Sequence, residues 1–236
     1  MKASVNLFLS LIFLALVASC TGCHRRMGEP NEQDEVMRPE NVVSFVRLYN
    51  QNCSACHGEN GSGGPALDLS NPTYQALVDD TSLRRWITSG MPGTEMPAFG
   101  ESAGGFLTSQ QIDALIIGMR LRWAPKNSSE TNMPSYLGKI EGNPDHGGAI
   151  FQGNCVSCHE QGKQKITDSS YLALVSDQSL RTIVIAGRPD LGQPDWRQVN
   201  ATQPLTDQDV SDVVAYLHSL RISTPGQPYP DPRAKR

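Results

Sequence analysis

The sequence predicts an all-α protein built from two tandem helical domains, and three observations carry that expectation. The chain repeats itself: LRRWITSGMPGTEMPAFG (Leu83 to Gly100) aligns without a gap on LRTIVIAGRPDLGQPDWR (Leu180 to Arg197). Gly90 falls over Gly187, Pro92 over Pro189, Pro97 over Pro194 and Phe99 over Trp196. Each half also closes on a stretch that opens with threonine and then sets apolar residues every three to four positions. These are LTSQQIDALIIGMR (Leu107 to Arg120) and LTDQDVSDVVAYLHSLR (Leu205 to Arg221), the pattern of a capped amphipathic helix. Nowhere does the chain show the apolar–polar alternation of a strand.

At the N-terminus, Met1-Lys2 gives a positive start to the uncharged, largely apolar run Val5 to Ser19. That run is short of the ~20 residues a spanning helix needs and suits an export signal. It ends in Val17-Ala18-Ser19-Cys20, which resembles a bacterial lipobox, so residues 1–19 read as a lipoprotein-type signal peptide with Cys20 lipidated and Cys23 the alternative. Residues 20–44 are polar, lack a helical period and read as a flexible tether. Residues 45–124 and 145–222 then form the two domains, 125–144 a linker rich in Pro, Gly, Ser and Asn, and 223–236 a C-terminal tail. A net charge of −4 gives no basic footprint for nucleic acid.

The chemistry lies in the cysteines. All six sit in three C-x-x-C-H motifs: CTGCH at Cys20 to His24, CSACH at Cys53 to His57 and CVSCH at Cys155 to His159. Two thiols one helical turn apart share a face and reach the two vinyl groups of one porphyrin, and the adjacent imidazole meets the iron. The second and third motifs each follow an apolar stretch within the repeat; the first does not. CTGCH also loses a thiol to lipidation or to signal cleavage, so it reads as a coincidence of the lipobox. A four-cysteine zinc site would need Cys56 and Cys155 far closer in sequence, and it leaves the paired histidines unexplained. Two covalently attached haem c groups are therefore expected, on Cys53, Cys56 and His57 and on Cys155, Cys158 and His159.

Over about residues 45–222 this layout resembles tandem class I cytochrome c domains, similar to the dihaem cytochrome subunits of respiratory complexes. The resemblance implies that a methionine thioether on a loop after the motif ligates the first iron opposite His57. Met96, in Met-Pro-Ala-Phe, has the family's form; Met91, five residues earlier, is the competitor. Gly63-Gly64-Pro65 resembles the family's proximal loop, which implies a proline carbonyl accepting from the axial histidine. The second half departs from the pattern. Gln193 stands over Met96, and no methionine follows Met133. Its iron has three open options: a weak oxygen ligand from Gln193, an open or water-filled position, or a residue from elsewhere such as His146 or His218.

Loss of the thioether lowers a haem's reduction potential, so the sequence predicts a relay whose first haem lies higher. The family resemblance implies a carrier rather than an enzyme. It would sit on the periplasmic side of the cytoplasmic membrane through its lipid anchor and pass single electrons between a quinol-oxidising complex and a terminal oxidase or other acceptor. Two alternatives use an open second iron: a peroxidase-like dihaem enzyme and a small-ligand sensor. The sequence places no distal acid or base beside Gln193 for the former and no signalling domain for the latter.

Overall fold

Helices begin where the sequence supplies a cap. Asn71 precedes Pro72 and accepts from the backbone N–H groups of Thr73 and Tyr74; Asn143 precedes Pro144 and accepts from those of Asp145 and His146. Thr108 and Thr206 each form a reciprocal capping box, with Gln111 and Asp209 respectively, as the threonine-led closers predicted. The computed structural model describes residues 36–126, 132–138, 140–160, 165–200 and 203–222. The signal segment with Cys20 and Cys23, most of the tether and the C-terminal tail lie outside the described residues.

The first domain contains α1 (Phe45–Asn52), α2 (Ser54–His57), α3 (Pro72–Leu77), α4 (Asp80–Ser89) and α5 (Ser109–Trp123). The second contains α6 (Pro144–Asn154), α7 (Val156–His159), α8 (Ser169–Leu172), α9 (Asp177–Ala186) and α10 (Asp207–Ser219). Among the described residues there is no strand, only two isolated bridges, Gly100 with Leu107 and Arg188 with Gln193. The fold is all-α, as expected.

In each domain the opening helix crosses the closing one, and a glycine permits the approach. In the first domain Phe45 of α1 lies on Gly118 of α5, where an added Cβ would stand 2.1 Å from the Phe45 ring. In the second domain the glycine is on the other helix: a Cβ on Gly147 of α6 would meet the Asp212 carbonyl oxygen of α10 at 1.9 Å. The same crossing is thus built with the small residue on opposite partners. Leu48, Tyr49, Ile112, Leu115 and Met119 fill the first core below the crossing. Phe151, Leu172, Val213 and Leu217 fill the second. Truncating any such residue to alanine costs about 2–5 kcal/mol.

Two segments read from the sequence as connectors are packed. Val42, assigned to the tether, is buried in the first core, and its carbonyl accepts from the Gln111 side chain at 3.1 Å. Tyr136, assigned to the linker, is buried; its hydroxyl accepts from Trp86 Nε1 at 2.8 Å and its carbonyl from Gln178 Nε2 at 2.9 Å. Arg181 of α9 is buried too, donating to the Ser135 carbonyl and to Ser211 Oγ and pairing with Asp207. Composition marks these stretches as polar on average, whereas one aromatic or valine suffices to anchor each.

The two domains pack directly on each other through α3 and α9. Asn71, while capping α3 with its oxygen, donates its amide nitrogen to the Ala186 carbonyl at the end of α9 at 2.8 Å, fully buried. Ala186 joins the first domain's core, and Leu77 packs on the Trp196 cluster of the second.

Candidate functional site

Both C-x-x-C-H motifs are folded alike. Cys53 ends α1 and starts α2, and Cys155 does the same between α6 and α7. The His57 N–H donates to the Cys53 carbonyl at 2.9 Å and the His159 N–H to the Cys155 carbonyl at 3.0 Å. One tight turn therefore presents two thiols and an imidazole together. Of these four motif cysteines, Cys56 and Cys158 are exposed, and Cys53 and Cys155 are half-buried. Burial pushes the Cys53 thiol up to about 12 and the Cys155 thiol to about 11, with the neighbouring cysteine adding to each.

His57 is oriented by the backbone and could hold a metal. Its Nδ1–H donates to the Leu67 carbonyl at 2.8 Å, which leaves Nε2 available to serve as a ligand atom. Burial lowers its proton affinity, the Leu67 carbonyl raises it, and the Arg188 charge lowers it further; the net shift is downward, toward the neutral imidazole that iron requires. The acceptor is Leu67 rather than Pro65, because the loop folds back more tightly than its motif suggests. Ala66 N–H donates to the Cys56 carbonyl, and a Cβ on Gly64 would stand 2.2 Å from that same oxygen. Glycine is required there. Two thiols, an oriented imidazole and this cradle fit a covalently bound haem c. On the second side His159 Nδ1 is shielded from solvent and the Ile166 N–H donates to the His159 carbonyl at 3.2 Å.

The two methionines of the first domain's distal loop differ in their surroundings. Met91 Sδ accepts from Ser179 Oγ of α9 at 3.2 Å, so its thioether is engaged at the domain boundary. Met96 is half-buried against the first core, its N–H donating to Thr94 Oγ1. In the second domain the equivalent loop is a tight hairpin: the Arg188 N–H donates to the Gln193 carbonyl at 3.1 Å and the Gln193 N–H to the Arg188 carbonyl at 2.9 Å. Gln193 Nε2 donates to the Ile183 carbonyl at 3.2 Å. The two other candidate histidines are engaged by carboxylates, His146 Nδ1 with Asp212 at 2.6 Å and His218 Nδ1 with Asp177 at 3.0 Å.

Sequence reasoning missed one residue beside the first site. Arg188 of the second hairpin is almost completely buried, forms a two-pronged pair with Asp190, and donates from Nη2 to the Gly64 carbonyl of the first domain's proximal loop at 3.2 Å. The repeat sets Arg188 over Met91, so an arginine in an otherwise methionine-bearing loop was the available signal.

Fold and motif geometry together define a protein of two tandem cytochrome c domains, carrying two covalently bound haem c groups. Residues 40–117 match the family described as cytochrome c oxidase, cbb3-type, subunit III, and residues 144–221 the family described as cytochrome c. Neither stretch includes CTGCH. The chain is 24% identical over 216 residues to a cbb3-type cytochrome c oxidase subunit CcoP of Azospirillum sp. (strain B510), covering 79% of this chain and 66% of that one. It is 25% identical over 199 residues to a cbb3-type cytochrome c oxidase subunit FixP of Sinorhizobium medicae (strain WSM419), covering 76% and 60%. It thus spans 66% and 60% of the length of these two relatives. Among solved structures, a chain of a reducing HAO-like protein complex of Kuenenia stuttgartiensis superposes with a TM-score of 0.45 at 18% identity, covering 79% of this chain and 100% of that one.

Proposed function

We propose that this protein is a two-haem electron relay, exported and held at the periplasmic face of the cytoplasmic membrane by a lipid on Cys20 or Cys23. It would pass single electrons between a quinol-oxidising complex and a terminal oxidase or similar acceptor. Bound haem c supplies a one-electron iron couple at each site. The chain's residues do the rest. Cys53 and Cys56, and Cys155 and Cys158, would fasten the two groups, and His57 and His159 would ligate the irons. Met96 completes the first site, where the thioether favours the reduced iron. Gln193, its nitrogen occupied by Ile183, offers the second site only a weak oxygen donor. No helix among the described residues is long and apolar enough to cross a membrane.

The observation that carries this reading is the domain contact. The distal hairpin of the second site rests on the proximal loop of the first, with Arg188 on Gly64 at 3.2 Å. Two redox sites built into one packed unit suit transfer between them. Similarity to oxidase subunits supports the choice of acceptor. A potentiometric titration of the purified haem protein tests it: two separate one-electron steps are expected, the higher from the first domain. A single step accounting for both haems, or turnover of peroxide at the second, would overturn it.

A further inference from the structure

Arg188, a buried cation on a hairpin that belongs to the second domain, reaches the proximal loop of the first site. Building on the relay reading, we propose that Arg188 is a positioning and tuning residue for the first haem. It fixes the proximal loop through the Gly64 carbonyl and places a positive charge near His57 that favours the reduced iron.

The geometry leaves little freedom. Gly64 is pressed onto the Cys56 carbonyl, so the group that Arg188 grips lies one loop away from the haem-bearing turn. Asp190 holds the guanidinium from the other side, Nε to Oδ1 at 2.9 Å and Nη2 to Oδ2 at 2.7 Å, so the fork is fixed in direction. Both partners are largely shielded from solvent, and a charge in such surroundings acts over longer distances than one in water. Ferric iron carries one more positive charge than ferrous, so the field of a cation held one loop away from the Cys56–His57 turn opposes the oxidised state. Asp190 opposes that field, and the net effect at the first site is the difference between the two.

This arrangement gives opposite signs for two neighbouring substitutions. Arg188→Gln removes the cation and leaves the carboxylate, so the first haem's midpoint moves down. Asp190→Asn leaves the cation uncompensated, so it moves up. A merely structural loop contact would shift the midpoint in the same direction for both variants, through the same loosening of the proximal loop. The experiment is a spectroelectrochemical titration of the full-length two-haem protein and both variants, with low-temperature EPR to follow each iron. The expected result is a downward shift in R188Q and an upward shift in D190N. Unchanged midpoints, or shifts of one sign in both, would overturn the role of Arg188. Should R188Q fail to fold, D190N decides alone: absence of an upward shift overturns the proposal. Wild-type protein lacking two haem c signals would instead overturn the relay reading on which this rests.

Discussion

Ser179 Oγ lies 3.2 Å from Met91 Sδ, a hydrogen bond from the second domain that occupies the thioether of one of two candidate ligands. Met96, five residues on, makes no such bond among the described residues and sits against the first core. Replacing Met96 with leucine is therefore expected to lower the first haem's midpoint sharply and to change its low-temperature EPR signal. Met91→Leu should leave both in place. The reverse outcome would reassign the ligand.

The cysteine environments predict an order of reactivity in haem-free chain. Thiolate, not thiol, is the nucleophile. With Cys53 pushed up to about 12 and Cys155 to about 11, these two are protonated at pH 8, and both are half-buried. Mass-resolved alkylation of folded apoprotein should label exposed Cys56 and Cys158 first. Equal labelling of all four would contradict the burial described.

The helix crossings predict a stability loss from a single methyl group. Gly118→Ala thrusts a Cβ into the Phe45 ring, which has some freedom to move. Gly147→Ala meets the Asp212 backbone carbonyl, which has none. Overpacking of this kind costs about 1–3 kcal/mol, with Gly147→Ala at the upper end. Denaturant titration of each variant gives the comparison, and a larger loss at Gly118 would reverse the argument.

His146 and Asp212 predict a pH dependence. Its hydrogen bond to Asp212 holds His146 above the usual 6.5. Asp212 feels burial pushing it up, but hydrogen bonds from His146, the Asn143 N–H and Gln208 outweigh this and hold it below its usual 3.8. The His146 contribution is complete below pH 6.5 and fades as pH rises through the raised folded-state value; the Asp212 contribution is complete above pH 3.8 and fades on acidification. Thermal melts should thus show the wild type losing stability from pH 6 to 8 relative to His146→Gln. Parallel curves would dismiss the pair.

Much of the site is legible in the sequence because its information is local. Cys53, Cys56 and His57 fit within one turn, and Thr108 with Gln111 forms its cap within three residues. Asn71-Pro72 likewise announces a helix start, yet nothing nearby shows that its amide also reaches Ala186 across the domain boundary, 115 residues away. Arg188 meets Gly64 at a separation of 124 residues. The Leu67 carbonyl replaces that of Pro65 because a backbone acceptor is chosen by loop curvature, which no side chain encodes by itself. Contacts that depend on how two domains dock are set by complementary surfaces, not by spacing.

Tyr136 is gripped from both sides, its hydroxyl by the Trp86 indole and its carbonyl by the Gln178 amide. Residues 132–138 are thereby a wedge rather than a hinge. A protease that severs the backbone between Lys126 and Asn132 removes a covalent bond but none of those grips. The nicked molecule should migrate as one particle on a sizing column, with both colour-bearing fragments parting only when denaturant is added.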